Sequence, residues 1–230
     1  MNPEGQREKL NQWAAKAPLI TVDTDIVNSK RRLFLGPDNV ASGRQAGELL
    51  KEALPDGGKV MAFVGFDNQA NAIERYQGIQ EAVAGTKIEL LGMQADQLDF
   101  RRARENAVIA LAEHPDLAGM VGIWSYNGPL ILEAVKAKGV AGKVKIVAFD
   151  DDPRTLKAID AGDIHATVVQ QPYEYGYQSV KFLRAMIIEG KPLEEIGIDE
   201  SNKKLIKGKV IRKAESSAYL KKLQGWSSSP

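Results

Sequence analysis

The stretch VKIVAFDDDP, Val144 to Pro153, decides the fold. Val144–Phe149 is apolar at nearly every position, the pattern of a parallel strand covered on both faces. Three carboxylates follow, Asp150, Asp151 and Asp152, and then Pro153. Proline favours the first helical position and aspartate the cap before it, so Asp152 reads as an N-cap. The run is therefore strand, polar turn, helix.

The same unit recurs outward in both directions. Candidate strands are Leu19–Val22, Leu33–Leu35, Lys59–Val64, Lys87–Leu91, Gly119–Trp124 and Ile164–Val169. Between them, apolar and small residues fall at helical spacing. Examples are Gly43, Ala46, Gly47, Leu50 and Leu54, then Phe100, Ala103, Ala107, Ala110 and Leu111, then Ile131, Ala134 and Val135 with Gly139 as a stop. A further helix is expected over Tyr173–Ile188, ending at Gly190-Lys191-Pro192. Alternating strands and helices predict an α/β fold with a doubly wound parallel sheet.

Composition narrows the function. The chain has 230 residues, 43% hydrophobic and 27% charged, as an ordinary globular protein has. Its 31 basic and 30 acidic residues nearly cancel, which argues against a nucleic-acid partner. The basic run Lys203–Lys213 alternates with Leu205, Ile206, Val210 and Ile211 and reads as a solvated strand region. With no cysteine, disulfides and thiolate chemistry are excluded. His114 and His165 are the two histidines, and neither has an obvious partner for a triad or a metal site. No apolar run approaches the roughly 20 residues of a membrane span, so no membrane insertion is expected. Met1–Leu10 is polar and is not read as a signal peptide. There is no G-x-G-x-x-G, P-loop or H-E-x-x-H, and nothing calls for a cofactor.

Open α/β sheets bind ligands beyond the carboxyl ends of their strands. Asp23-Thr24-Asp25 follows the first strand, and Gly65-Phe66-Asp67-Asn68-Gln69 follows Val64. Ser125-Tyr126-Asn127 follows Trp124, Asp150 follows Phe149, and Gln170 follows Val169. Carboxylates and amides pair with hydroxyls, and Phe66, Trp124, Tyr126 and Phe149 offer rings to the C–H face of a sugar. Each residue also has a plainer reading. Asp38, Asn127 and Asp152 can be caps, Arg75 a solvated surface residue, and Phe66, Trp124 and Phe149 core.

At these residues the sequence resembles the ribose-binding protein family of type-1 periplasmic binding proteins. The similar stretches are APLITVD from Ala17, GPDNVASGRQAG from Gly36, IERYQGIQEAV from Ile73, HPDLAGMVG from His114, IVAFDDDP from Ile146 and AGDIHATVVQQP from Ala161. The resemblance implies two doubly wound lobes and no catalysis. It implies ligand contacts at Asp23, Arg75, Asn127, Asp150 and Gln170, with Phe66 and Phe149 as apolar walls; Trp124 joins the candidate ligand residues from its place at a strand end. Thr24 stands where ribose binders carry an arginine, and Ile73 replaces the first arginine of an R-x-R-x-x-G region.

The implied ligand is a small sugar or polyol held between the lobes, the partner an ABC transporter membrane permease, and the location periplasmic. The expected division is 1–37 plus 171–200 as an amino-terminal lobe lacking its first βα units, 38–170 plus 201–226 as the carboxyl-terminal lobe, and 227–230 as a disordered tail. Two other functions stay open: a ligand-sensing domain of a regulator or chemoreceptor, and an enzyme holding Mg²⁺ on Asp150–Asp152.

Overall fold

The structure, a computed structural model, describes residues 3–227. The chain forms two compact units. The smaller comprises residues up to Asp38 together with Gln171–Gly208, and the larger comprises Asn39–Gln170 together with the residues from Lys209.

The smaller unit opens with α1 (Pro3–Ala14) and carries β1 (Ile20–Val22), β2 (Leu33–Pro37), α7 (Pro172–Ile187) and β8 (Lys203–Ile206). Its sheet has the order β1-β2-β8, all parallel. Pro172 sits in the first turn of α7, where its missing N–H is harmless. Tyr175 and Phe182 recur at helical spacing and bury against Leu33, Leu35 and Ile198. The opposite face of α7 leaves Tyr173, Tyr177, Val180, Ile187 and Ile188 exposed.

The larger unit holds α2 (Asn39–Ala53), β3 (Gly58–Val64), α3 (Ala70–Val83), β4 (Ile88–Ala95), α4 (Phe100–Glu113) and β5 (Leu117–Gly122). It continues with α5 (Asn127–Ala137), β6 (Lys145–Phe149), α6 (Pro153–Ala161), β7 (Ala166–Val169), β9 (Lys209–Arg212) and α8 (Lys213–Ser227). The sheet order is β4-β3-β5-β6-β7-β9, parallel except for β9, which runs antiparallel to β7.

Strand side chains alternate between two dry faces. Val60, Ala62 and Val64 pack with Leu50 of α2 and Ile79 of α3, while Met61 and Phe63 pack with Ala107 of α4 and Ile131 of α5. α2 and α3 touch backbone to backbone. A Cβ on Gly43 would lie 2.0 Å from the Arg75 carbonyl oxygen, and one on Gly78 2.1 Å from that of Val40. Any larger residue would push α3, and Arg75 with it, away from the sheet.

The structure departs from the sequence reading in four places. β4 runs to Ala95, four residues past the expected end. The basic stretch makes two strands in two sheets, so 201–208 belongs to the smaller unit rather than with 209–226. β8 continues the small sheet beside β2, and the chain then passes Lys207-Gly208 to place β9 beside β7. His165 is not partnerless, since its Nε2 lies 3.6 Å from Glu52 Oε2. Of the expected tail, Ser227 ends α8 and 228–230 lie outside the described residues. No described helix is long and apolar enough to cross a membrane.

Candidate functional site

The order of the larger sheet reverses at β3, whose chain continues to β4 on one side while β5 lies on the other. This is the point where open α/β sheets form a crevice. Arg75 lies here with 2% of its surface exposed. Its Nη1 donates to the carbonyl of Ile123 at 2.8 Å, and its Nε donates to Asn39 Oδ1 at 3.1 Å. Asn39 Nδ2 in turn donates to Glu74 Oε2 at 2.9 Å. The guanidinium sits 4.9 Å from the centroid of Phe149, a cation–π contact. Phe149 is fully buried and joins the core below. Arg75 is thus a floor residue tying three elements together, not a solvated one, and Phe149 supports it from within.

Next to Phe149, Asp150 is the first residue past β6 and has φ 66°, in the left-handed region. A non-glycine residue held there costs on the order of 1 kcal/mol and marks a place where the surroundings dictate the conformation. The surroundings are visible. Its N–H donates to Val168 O at 2.9 Å, its carbonyl accepts from Thr167 Oγ1 at 2.7 Å, and its Oδ1 accepts from Gln170 Nε2 at 2.8 Å. Asp152, two residues on, caps α6 by accepting from the Arg154 N–H at 2.8 Å, as its place before Pro153 requires.

A third group lies at the β4 end. Asp96 is fully buried, and it is the functional candidate that sequence reasoning missed. It accepts from the Leu98 N–H at 2.9 Å, the Tyr126 hydroxyl at 2.6 Å and Asn127 Nδ2 at 3.0 Å. Burial first, and then this bond to a carboxylate, push the Tyr126 hydroxyl's pKa well up, so the phenol stays protonated and donating. Asn127 Oδ1 accepts from the Trp124 N–H at 3.1 Å, and the residue is 1% exposed. Asn127 thus holds the β5–α5 turn through its Oδ1 and ties that turn to Asp96 beyond β4 through its Nδ2. The signal for Asp96 was present, because it is the first residue after a parallel strand, but the apolar run of that strand fades at Leu91.

Phe66 and Trp124 come together at the ends of β3 and β5, with centroids 6.1 Å apart and edge to face. Both are partly buried. The indole Nε1 of Trp124 is buried without a hydrogen-bond acceptor. Trp124 also closes on Gly65, where a Cβ would meet its ring at 2.1 Å.

Asp23 lies on the smaller unit, one residue past β1, with φ 67° and an exposed side chain. Its N–H donates to Leu35 O at 3.0 Å. Behind it, Arg31 and Asp25 make a two-pronged ion pair, Nε to Oδ1 at 2.5 Å and Nη2 to Oδ2 at 2.7 Å. That pair stiffens the loop joining β1 to β2. Asp150 and Gln170 are brought together, and so are Arg75 with Phe149 and Phe66 with Trp124. Chemically, the strand ends of the larger unit offer charged and amide acceptors at β6 and β7 and aromatic faces at β3 and β5.

The sequence model of the periplasmic binding protein domain family matches residues 1–192. The chain is 31% identical over 169 residues to the ribose import binding protein of Salmonella typhimurium, covering 73% of this chain and 56% of that protein. It is 27% identical over 180 residues to the D-allose-binding periplasmic protein of Escherichia coli, covering 74% and 58%. The chain thus spans a little over half the length of these curated relatives. The solved structure of GanP, a glucose-galactose binding protein from Geobacillus stearothermophilus, matches at TM-score 0.81 and 31% identity, over 92% of this chain and 74% of that one. A solute-binding protein of Burkholderia graminis solved with D-arabinose matches at TM-score 0.83 and 27% identity, over 94% and 74%.

Proposed function

The chain belongs to the periplasmic binding protein domain family, and from that premise we propose that it binds a small sugar or polyol, without catalysis, for delivery to the membrane permease of an ABC importer in the periplasm. The observation that carries the reading is Asp150, a carboxylate held in a left-handed turn at a strand end and oriented by Gln170 at 2.8 Å. A carboxylate and an amide fixed side by side accept and donate at once, which is what adjacent hydroxyls require.

Phe66 and Trp124 supply the faces for the ring's C–H groups. Arg75 and Asn127 act from below, keeping the turns in place, with Phe149 as the support under Arg75. The names of the relatives, with ribose, allose, arabinose, glucose and galactose among their ligands, support the sugar class.

A thermal-shift series with D-ribose, D-allose, D-arabinose, D-galactose, D-glucose and D-fructose tests this. A ligand at about 100 times its Kd adds about 2.7 kcal/mol to the native state. At least one sugar is expected to raise the melting temperature by several degrees. A flat response to all of them at millimolar concentration would sink the proposal.

A further inference from the structure

The aromatic residues at the strand ends outnumber what one sugar ring can cover. From Phe66 the rings run to Trp124 at 6.1 Å, from Trp124 to Tyr126 at 6.5 Å, and from Tyr126 to Phe100 at 4.7 Å. The ribbon crosses the ends of β3 and β5 and reaches the start of α4, beside the end of the outermost strand, β4. Asp150 and Gln170, at β6 and β7, lie in the other half of the sheet. The rings stand at the ends of β3 and β5 and the start of α4, where the carboxylate at the β4 end, Asp96, is buried and bonded to Leu98, Tyr126 and Asn127.

The outer end of the ribbon is held out on purpose. Phe100 is 59% exposed and Leu98 53% exposed. Gln97 and Leu98 both have left-handed backbones, φ 59° and 64°, which side chains of their kind rarely adopt. Asp96 keeps them there by accepting the Leu98 N–H, while the same carboxylate fixes Tyr126, on which Phe100 packs. A buried carboxylate is thus committed to presenting apolar side chains to water, an arrangement that marks a binding surface. In the middle of the ribbon, the Trp124 indole N–H has no acceptor.

Resting on the sugar-site reading, we infer that the ligand is a glycoside of at least two rings, whose first ring meets Asp150 and Gln170 and whose second ring stacks along Tyr126 and Phe100. The alternation of C–H faces and hydroxyls in an oligosaccharide suits an aromatic ribbon whose rings are flanked in sequence by the polar residues Asn68, Gln97 and Ser125. The ribbon continues directly from the Phe66–Trp124 pair already assigned to the first ring.

Isothermal titration of the full chain with matched pairs tests the inference: D-xylose and xylobiose, L-arabinose and arabinobiose, D-galactose and galactobiose. In at least one pair the disaccharide is expected to bind about tenfold or more tighter than its monosaccharide. Phe100→Ala should remove that gain and leave the monosaccharide Kd unchanged, and Leu98→Ala should act in the same direction by less. Phe100 is exposed in the first turn of α4, whose Asp99 cap is untouched by the change, and circular dichroism checks the fold. Monosaccharide binding with no gain from the second ring, or a gain that survives Phe100→Ala, overturns this inference and leaves the sugar reading standing. Binding of neither length overturns both.

Discussion

At the end of β1, Asp23 has φ 67° and gives its N–H to Leu35; at the end of β6, Asp150 has φ 66° and gives its N–H to Val168. The two turns are local copies of each other, one on each unit. Their supports differ. Asp150 has Thr167 on its carbonyl and Gln170 on its carboxylate, and Phe149 beside it is buried in the core. Asp23 is exposed, and its carboxylate accepts a long 3.4 Å contact from the neighbouring Thr24 Oγ1. The strands explain this. β6 is paired on both sides, by β5 and β7, whereas β1 is an edge strand of a three-stranded sheet. A carboxylate can be preorganised only where neighbouring strands supply the groups to hold it.

The largest break in this comparison comes from below. Phe149→Ala removes a buried ring under Arg75 and should cost the larger unit about 3–5 kcal/mol in urea denaturation. A loss under about 1 kcal/mol would mean that Phe149 is not the support described.

Next is the brace itself. Gln170→Leu should weaken binding of the cognate sugar about tenfold by titration calorimetry, since a charge-assisted bond that orients Asp150 is lost. Thr24→Val, the matching change beside Asp23, should stay within about twofold. Equal effects would erase the distinction between the two turns.

Smaller again is the backbone term. Asp23→Gly relieves a left-handed residue with little to lose and should stabilise the smaller unit by up to about 1 kcal/mol. Asp150→Gly relieves the same strain but strands Gln170, so it should show no gain. Thermal melts of the two variants decide between these outcomes.

Much of this architecture is legible in the sequence. Val144–Phe149 and Lys59–Val64 announce themselves because strands buried on both faces are apolar throughout. β4 did not, past Leu91, because an edge strand is half-exposed and Gly92-Met93-Gln94 breaks the run. That shortfall hid Asp96, which looks like a loop residue until the strand reaches Ala95. Lys203–Lys213 reads as one strand region because alternation reports pairing but not which sheet supplies the partner. Asn127 and Arg75 stand out in the sequence by their chemistry, but their inward hydrogen bonds run to Asp96, Asn39 and Ile123, more than 30 residues away along the chain.

The smallest expected effect is electrostatic and lies at the far edge of the larger sheet. There Arg212 on β9 grips Glu52 of α2 through Nη2 to Oε1 at 2.6 Å and Nε to Oε2 at 3.1 Å. The Arg212 bond holds the Glu52 carboxyl below its ordinary value of 4.5, against an opposing push from burial. A carboxylate lowered in the folded state stabilises above its unfolded value, and that contribution is lost as pH falls through the lower folded value. Arg212→Met should therefore flatten the loss of stability on acidification below pH 4.5. Both side chains are more than a third exposed, so the effect is screened and well under about 1 kcal/mol. An unchanged acid limb in pH-dependent melts would show that the pair contributes nothing.

The most direct test of the central claim is a calorimetric titration of the wild-type chain and Asp150→Asn with the same sugars. Asparagine tolerates the left-handed turn and can still accept from Gln170, so the fold and melting temperature should hold while the charge is lost. The account predicts that at least one sugar binds the wild type and binds Asp150→Asn at least about tenfold more weakly. Sugar binding that ignores the substitution, or a wild-type chain that binds none of them, would contradict it.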